Sequence, residues 1–204
     1  MNHEIDSVEQ LEAIYGEPSE RALWKELNYL NEDYQAFVKA SPFVVLASVG
    51  DRGTDCSPKG DPAGFVQILD ERTLVIPDRP GNNRIDNLRN IIADPRVSLL
   101  FLIPGVGETL RVNGRARICV DPALVSRFEI HGKLPRTVIV VSVDSVYFHC
   151  AKAIVRSRLW DKETQIPRDA LPSTGAMHRR LSGGHFDGDA YDRNLPQHTA
   201  DGLY

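Results

Sequence analysis

The stretch Glu108-Thr109-Leu110-Arg111-Val112-Asn113-Gly114-Arg115-Ala116-Arg117-Ile118 alternates apolar and polar residues with a period of two. That is the period of a β-strand, whose successive side chains leave opposite faces. Leu110, Val112, Ala116 and Ile118 fall on one face, and Thr109, Arg111, Asn113, Arg115 and Arg117 on the other. The first face is built to be buried. The second carries three arginines, which repel one another unless they meet carboxylates or a bound anion. A solvated strand face paired with nearby Asp and Glu satisfies the same pattern.

Outward from this strand the chain keeps its β character. Val97 to Ile103 precedes it across Pro104-Gly105, and Thr137 to Val143 and Val146 to Phe148 follow it. Phe43 to Val49 is apolar and β-branched, and Phe65 to Leu69 with Thr73 to Ile76 reads as a hairpin around Asp70-Glu71-Arg72. Helical spacing is found in five places. Ser7 caps a helix carrying Val8, Leu11 and Ile14, ended by Gly16. Pro18 opens a second helix with Leu23, Leu27, Leu30, Tyr34, Phe37 and Val38 in step, until Ser41-Pro42 stops it. Asn82 to Ile92, Asp121-Pro122 to about Gly132, and Ala151 to Trp160 complete the set.

About six short strands with few intervening helices predict a mainly β, α+β fold, a barrel or a sandwich. No strand runs into a Gly-x-Gly-x-x-Gly turn, so a doubly wound dinucleotide fold has no support. The expected organisation is a helical region at 1–41 packed on a barrel at 42–161. An extension at 162–204, rich in Gly, Pro, Asp and Arg, is expected to wrap a surface.

The 204 residues are 42% hydrophobic and 25% charged, as in ordinary globular proteins, with a net charge of −4. That charge argues against a general nucleic-acid binder. No apolar run reaches the roughly 20 residues that cross a bilayer, and the polar, acidic start, Met1 to Glu12, is unlike a signal peptide. Cys56, Cys119 and Cys150, odd in number and far apart, fit reduced thiols and a cytoplasmic setting.

Three segments could carry chemistry. Ile76-Pro77-Asp78-Arg79-Pro80-Gly81-Asn82-Asn83-Arg84 leaves a strand and enters a helix. Free N–H groups at a helix start, joined by Arg79 and Arg84, suit a phosphate; a surface turn with Asn caps and solvated arginines uses the same residues. Cys56-Ser57-Pro58-Lys59-Gly60-Asp61-Pro62-Ala63-Gly64-Phe65 has an irregular backbone that can approach a planar ligand, or is a polar loop. His149-Cys150 is adjacent in sequence and has no partner motif at metal spacing, so no metal site is expected. Cys150 reads as a buried, inert thiol, and Trp160 as core or as the cover of a ring.

Together, Ser57 to Asp61, Ile76 to Arg84, Glu108 to Ala116 and His149 to Ala153 resemble the pyridoxamine 5′-phosphate oxidase-like FMN-binding split-barrel proteins, and within them a bacterial branch of FMN-dependent enzymes. The resemblance runs from about Phe43 to Trp160. It implies a six-stranded Greek-key split barrel, paired as a homodimer with FMN in two interfacial clefts. It implies that Ile76, Pro77, Asp78, Arg79, Asn82, Asn83 and Arg84 hold the phosphate and one rim of the flavin. Lys59, Gly60, Asp61 and Phe65 would pass along the ring. Thr109, Leu110 and Arg111 would contribute to the same site, often from the partner chain. Two departures stand out. Asn83-Arg84 occupies the place of an Arg-Lys pair, and the Arg-x-His substrate motif of the oxidases is absent.

The resulting expectation is an FMN-dependent oxidoreductase acting on a small molecule, with NAD(P)H a candidate reductant and no general base assignable. Lys59 and Arg111 are the candidates for stabilising a reduced, anionic flavin. A flavin-binding carrier or redox sensor without turnover, and a deazaflavin-type reductase on the same barrel, are the alternatives.

Overall fold

In the computed structural model, which describes residues 3–204, seven strands form one antiparallel sheet. They are β1 Phe43–Gly50, β2 Gly53–Gly60, β3 Gln67–Asp70, β4 Thr73–Asp78, β5 Arg96–Leu102, β6 Thr109–Cys119 and β7 Thr137–His149. Their order is β2-β1-β5-β6-β7-β4-β3. Three consecutive strands, β5 to β7, are extended by β4, which lies beside β7 after a long connection, as in a Greek key. The edges β2 and β3 do not pair with each other. The fold is the mainly β, split-barrel type with flanking helices that the sequence predicts.

The strands differ from those expected in two places. Gly53 to Gly60 is a full strand, and it takes in the first half of the segment Cys56 to Phe65, which reads as irregular backbone or a polar loop. It pairs along its whole length with β1, from Gly50↔Gly53 to Phe43↔Gly60. Pro58 fits because β2 is an edge and needs no outward N–H. The segments 137–143 and 146–148 are one strand of 13 residues. Their join is a bulge, with Asn113 opposite Ser145 and Gly114 opposite Val143. Gly114 is required there, since a Cβ would stand 2.1 Å from the Ser142 carbonyl oxygen.

The inward faces build the core from Val44, Leu46, Leu74, Ile76, Leu99, Phe101, Leu110, Val112, Ile139, Val141 and Val146. A smaller cluster, Val75, Val138, Val140, Val125 and Phe128, covers one end of the outer face. The helix expected from Pro18 to Val38 is broken into α2 Glu20–Trp24 and α3 Glu32–Ala40. Between them Leu27 bonds Val146 in both directions, at 3.0 and 2.7 Å, and Asn31 caps α3. These hydrogen bonds override helical spacing. α3 then brings Tyr34 and Val38 into the core.

α1 spans Val8–Tyr15 behind the expected Ser7 cap, and none of its residues is buried. α4, Asp86–Ala93, starts four residues later than expected, because Asn83 and Ile85 both take left-handed backbone. The helix expected from Asp121 shortens to α5, Pro122–Val125, and a 3₁₀ turn, Ser126–Phe128. α6 covers Lys152–Ser157 and ends at the left-handed Arg158. The C-terminal extension contains α7 Thr174–Leu181 and α8 Gly188–Asp201, packed on each other where Gly175 meets Gly188. Cys150 is exposed, not buried as expected, because it lies just past the end of β7; Cys56 is exposed as well. Among the described residues, no helix is long and apolar enough to cross a membrane.

α4 is clamped to β1 by a polar triad, Ser48, Asn87 and the half-buried Asn90. Ser48 and Asn87 are each 4% exposed. The Asn87 amide donates to Ser48 Oγ at 2.7 Å and the Asn90 amide at 3.1 Å. Ser48→Ala leaves a buried amide without its acceptor, which costs about 1–3 kcal/mol. Urea denaturation should show that loss, and adding Asn87→Leu to Ser48→Ala should recover part of it.

Candidate functional site

β4 leaves the sheet at Asp78, and residues 79–85 turn the chain into α4. Between this turn, β2 and the start of β7 lies a cleft of about 800 Å³, within the usual range for small-molecule sites. The strand period of β2 aims Asp55, Ser57 and Lys59 at it. Gly60, Phe65, Pro77, Asp78, Arg79, Asn82, Asn83 and Arg84 also line it, so these sequence-predicted residues come together. Arg136 and Thr137, at the start of β7, line the opposite wall. The sequence singles out neither, because nothing local in Pro135-Arg136-Thr137 shows that β7 lies beside β4.

Not every expected residue is there. Ile76 and Leu110 are fully buried, with their side chains in the core. Asp61 does not line this cleft. Thr109, Leu110 and Arg111 sit on β6, separated from β4 by β7, and do not line the cleft of their own chain.

The cations of the cleft are held with unequal strength. Lys59 Nζ lies 2.8 Å from Asp78 Oδ1, both side chains being largely buried. Arg79, expected to bind phosphate, is committed elsewhere. Its Nε meets Asp61 Oδ2 at 2.7 Å and its Nη1 donates to the Phe128 carbonyl at 2.8 Å. The Tyr204 ring lies against the guanidinium at 5.3 Å, and the Tyr204 hydroxyl donates to Asp61 Oδ1 at 2.8 Å. That bond to a carboxylate raises the Tyr204 pKa above the usual phenol range.

Arg84 differs. Its side chain is 71% exposed, and its Nε lies 2.8 Å from Asp86, which also receives Arg52 at 3.2 Å. The Arg84 contact raises the arginine pKa and lowers that of Asp86. Exposed pairs of this kind contribute about 0–1 kcal/mol, so Arg84 can turn to another anion at small cost.

The turn itself is strained. Asn83 has φ 57° and Ile85 φ 53°; Asn accepts that region readily, whereas a β-branched residue is an outlier there. The Asn82 side chain accepts from the Arg84 N–H at 3.0 Å and fixes the bend. Ile85 gives α4 no side-chain cap, so the first N–H groups of the helix are left for water or a ligand. Thr137 Oγ1 is buried and has no hydrogen-bond partner. Among the described residues, no group of three or more His, Cys, Asp or Glu is placed to hold a metal ion.

A protein-family model described as pyridoxamine 5′-phosphate oxidase matches residues 30–150. No curated protein matches the chain. Among solved structures, HupZ of Group A Streptococcus is 15% identical with a TM-score of 0.46, the alignment covering 57% of this chain and 90% of that one. General Stress Protein 26 of Bacillus anthracis is 17% identical with a TM-score of 0.42, covering 56% and 88%. The FAD binding protein of Mycobacterium smegmatis is 14% identical with a TM-score of 0.41, covering 60% and 97%.

The two arginines should respond differently to loss of their acids. Asp61→Asn strands a largely buried guanidinium and should destabilise the fold by about 2–4 kcal/mol. Asp86→Asn removes only exposed pairs and should cost less than about 1 kcal/mol. Denaturation of the two variants in parallel measures the difference.

Proposed function

The chain belongs to the pyridoxamine 5′-phosphate oxidase family, and on that premise we propose that it binds FMN in the cleft beside β2 and β4 and acts as an FMN-dependent oxidoreductase. The observation that carries this reading is the set of unspent donors around one cavity. Thr137 Oγ1 has no partner, the start of α4 has no cap, and Arg84 is held only by an exposed contact. A phosphate ester supplies what these groups lack: acceptor oxygens and negative charge.

In this reading Asn82, Asn83, Arg84, Arg136 and Thr137, with the first N–H groups of α4, hold the phosphate. Lys59, Gly60, Phe65, Pro77 and Asp78 face the ring. Arg79 and Asp61 act behind them, as the clasp that fixes the turn. Bound flavin supplies hydride and electron transfer, and the protein supplies orientation and charge. Lys59 would offset the charge of a reduced ring, and Asp78 keeps its ammonium in place. Three free thiols support a cytoplasmic home.

The chain is further read as a homodimer. Thr109 and Arg111 lie outside their own cleft, so they reach a flavin only if a second copy lends its β6. A two-fold pairing makes that exchange mutual. The test is sedimentation with and without FMN: FMN should favour the dimer by mass action. A stable monomer with full FMN affinity overturns the pairing.

The cofactor reading predicts a protein-bound flavin spectrum when FMN is added. Arg84→Ala should weaken FMN about ten- to hundred-fold, the effect of one charge-assisted contact. Riboflavin, which has no phosphate, should bind the variant and the parent alike. Absence of FMN binding at micromolar concentration overturns the proposal, and equal losses for both ligands remove Arg84 from the phosphate site.

A further inference from the structure

We infer that Tyr204 is a positioning residue for the candidate site: by filling the second oxygen of Asp61 it keeps Arg79 on Asp61 and on the Phe128 carbonyl, and so sets the turn at residues 79–85. Tyr204 stands well outside the segment that identifies the family. The contact thus ties this chain's own extension to its cleft. Its effect on a bound ligand rests on the flavin reading; its effect on the turn does not.

α8 stops at Asp201, closed by the Gly202 N–H, which donates to the His198 carbonyl at 3.1 Å. Tyr204 then enters between two parts of the barrel. One is the tight turn at 130–133, where Ile130 and Lys133 form a bridge and His131 and Gly132 take left-handed backbone. Lys133 Nζ donates to the Tyr204 carbonyl at 2.8 Å, and the His131 ring meets the tyrosine ring edge-on at 6.0 Å. The other part is the Asp61–Arg79 pair. The tyrosine ring lies 5.3 Å from the Arg79 guanidinium carbon, and its hydroxyl donates to Asp61 Oδ1 at 2.8 Å.

A carboxylate that is 2% exposed needs partners for both oxygens. Arg79 Nε takes Oδ2, and the phenol takes Oδ1. The Asp61 backbone is fixed as well, its N–H donating to the Pro42 carbonyl at 3.1 Å. Without the phenol, Oδ1 turns to water or to a second N–H of Arg79. A guanidinium fork matches both oxygens of one carboxylate. Taking both draws Nη1 off the Phe128 carbonyl, its present acceptor. Arg79 opens the turn, and it lines both the cleft and a smaller cavity of about 190 Å³ on the Asp61 side. A shift of this one guanidinium therefore reaches the cleft directly.

The charged and titratable groups around the phenol are Asp61, Arg79, His131 and Lys133. The hydrogen bond to Asp61 raises the Tyr204 pKa, helped by burial, and Arg79 opposes it. The contact is therefore complete at neutral pH and is lost only as pH rises through the raised value.

Tyr204→Phe keeps the ring on Arg79 and removes only the hydroxyl; Tyr204→Ala removes both. In the full chain without flavin, the alkaline absorbance difference between parent and Tyr204→Phe isolates this phenol, which should titrate above free tyrosine. Amide hydrogen exchange at residues 79–85 should quicken roughly tenfold in Tyr204→Phe, and more in Tyr204→Ala. Exchange in β6 and β7 should stay as in the parent, a pattern that a general loss of stability does not produce. With FMN added, Tyr204→Phe should bind it about three- to tenfold more weakly, and riboflavin as the parent does. A phenol that titrates like free tyrosine, a turn whose exchange is unchanged, or a variant that takes FMN as tightly as a flavin-binding parent would each overturn the proposal. If the parent takes no FMN, the cofactor reading falls, and the titration and the exchange still decide whether Tyr204 holds the turn.

Discussion

The pairing of β6 with β7 is the constraint from which the rest of the architecture follows. It is the longest ladder in the sheet, running from Thr109↔His149 to Cys119↔Val138. It holds together only because Gly114 lets the Ser142 carbonyl approach where a side chain would collide. On one side the ladder presents Leu110, Val112, Ile139 and Val141 to the core. On the other it lines up Arg111, Tyr147 and His149. β7 then carries β4 on its free edge, in register from Thr73↔Ser142 to Asp78↔Thr137. That register sets Thr137 beside Asp78 on one side of the cleft, while β2, paired to β1, forms another.

How an acid pairs with an arginine decides what the arginine is free to do. Arg79 and Arg84 stand five positions apart in one turn and are alike in sequence. Asp61 is 2% exposed and grips Arg79 in a geometry that water does not weaken, whereas Asp86 meets Arg84 at the surface. In the first case the cation is part of the frame; in the second its partner is exchangeable. An exposed cation beside an uncapped helix and a buried one behind it give the turn one exchangeable charge and one fixed one.

The sequence makes the period-two strands legible, since a buried face needs alternation and Leu110, Val112, Ala116 and Ile118 provide it. It also marks the turn from Ile76 to Arg84, where Pro, Gly and Asn crowd between a strand and a helix. β2 escapes notice because Asp55, Ser57 and Lys59 face a polar cleft and its other face lies open, so it has no apolar side to count. The break between α2 and α3 is invisible for another reason: Leu27 keeps helical spacing, and only its bonds to Val146, more than a hundred residues away, pull it out of a helix. The commitment of Arg79 to Asp61 and the orphan hydroxyl of Thr137 are likewise products of tertiary register, which local spacing does not encode.

One wall of the cleft is the margin of an open sheet. A margin with free N–H and C=O groups invites further strands from other molecules. β2 resists this with Pro58, which has no N–H to offer, between two glycines at its ends and next to the charged Lys59. The same residues that leave the cleft accessible to a small ligand therefore make the strand a poor template for growth. Replacing Pro58 with a β-branched residue would keep the cleft lined and still change how the protein behaves in crowded solution, turning a terminated ladder into one that other chains can extend.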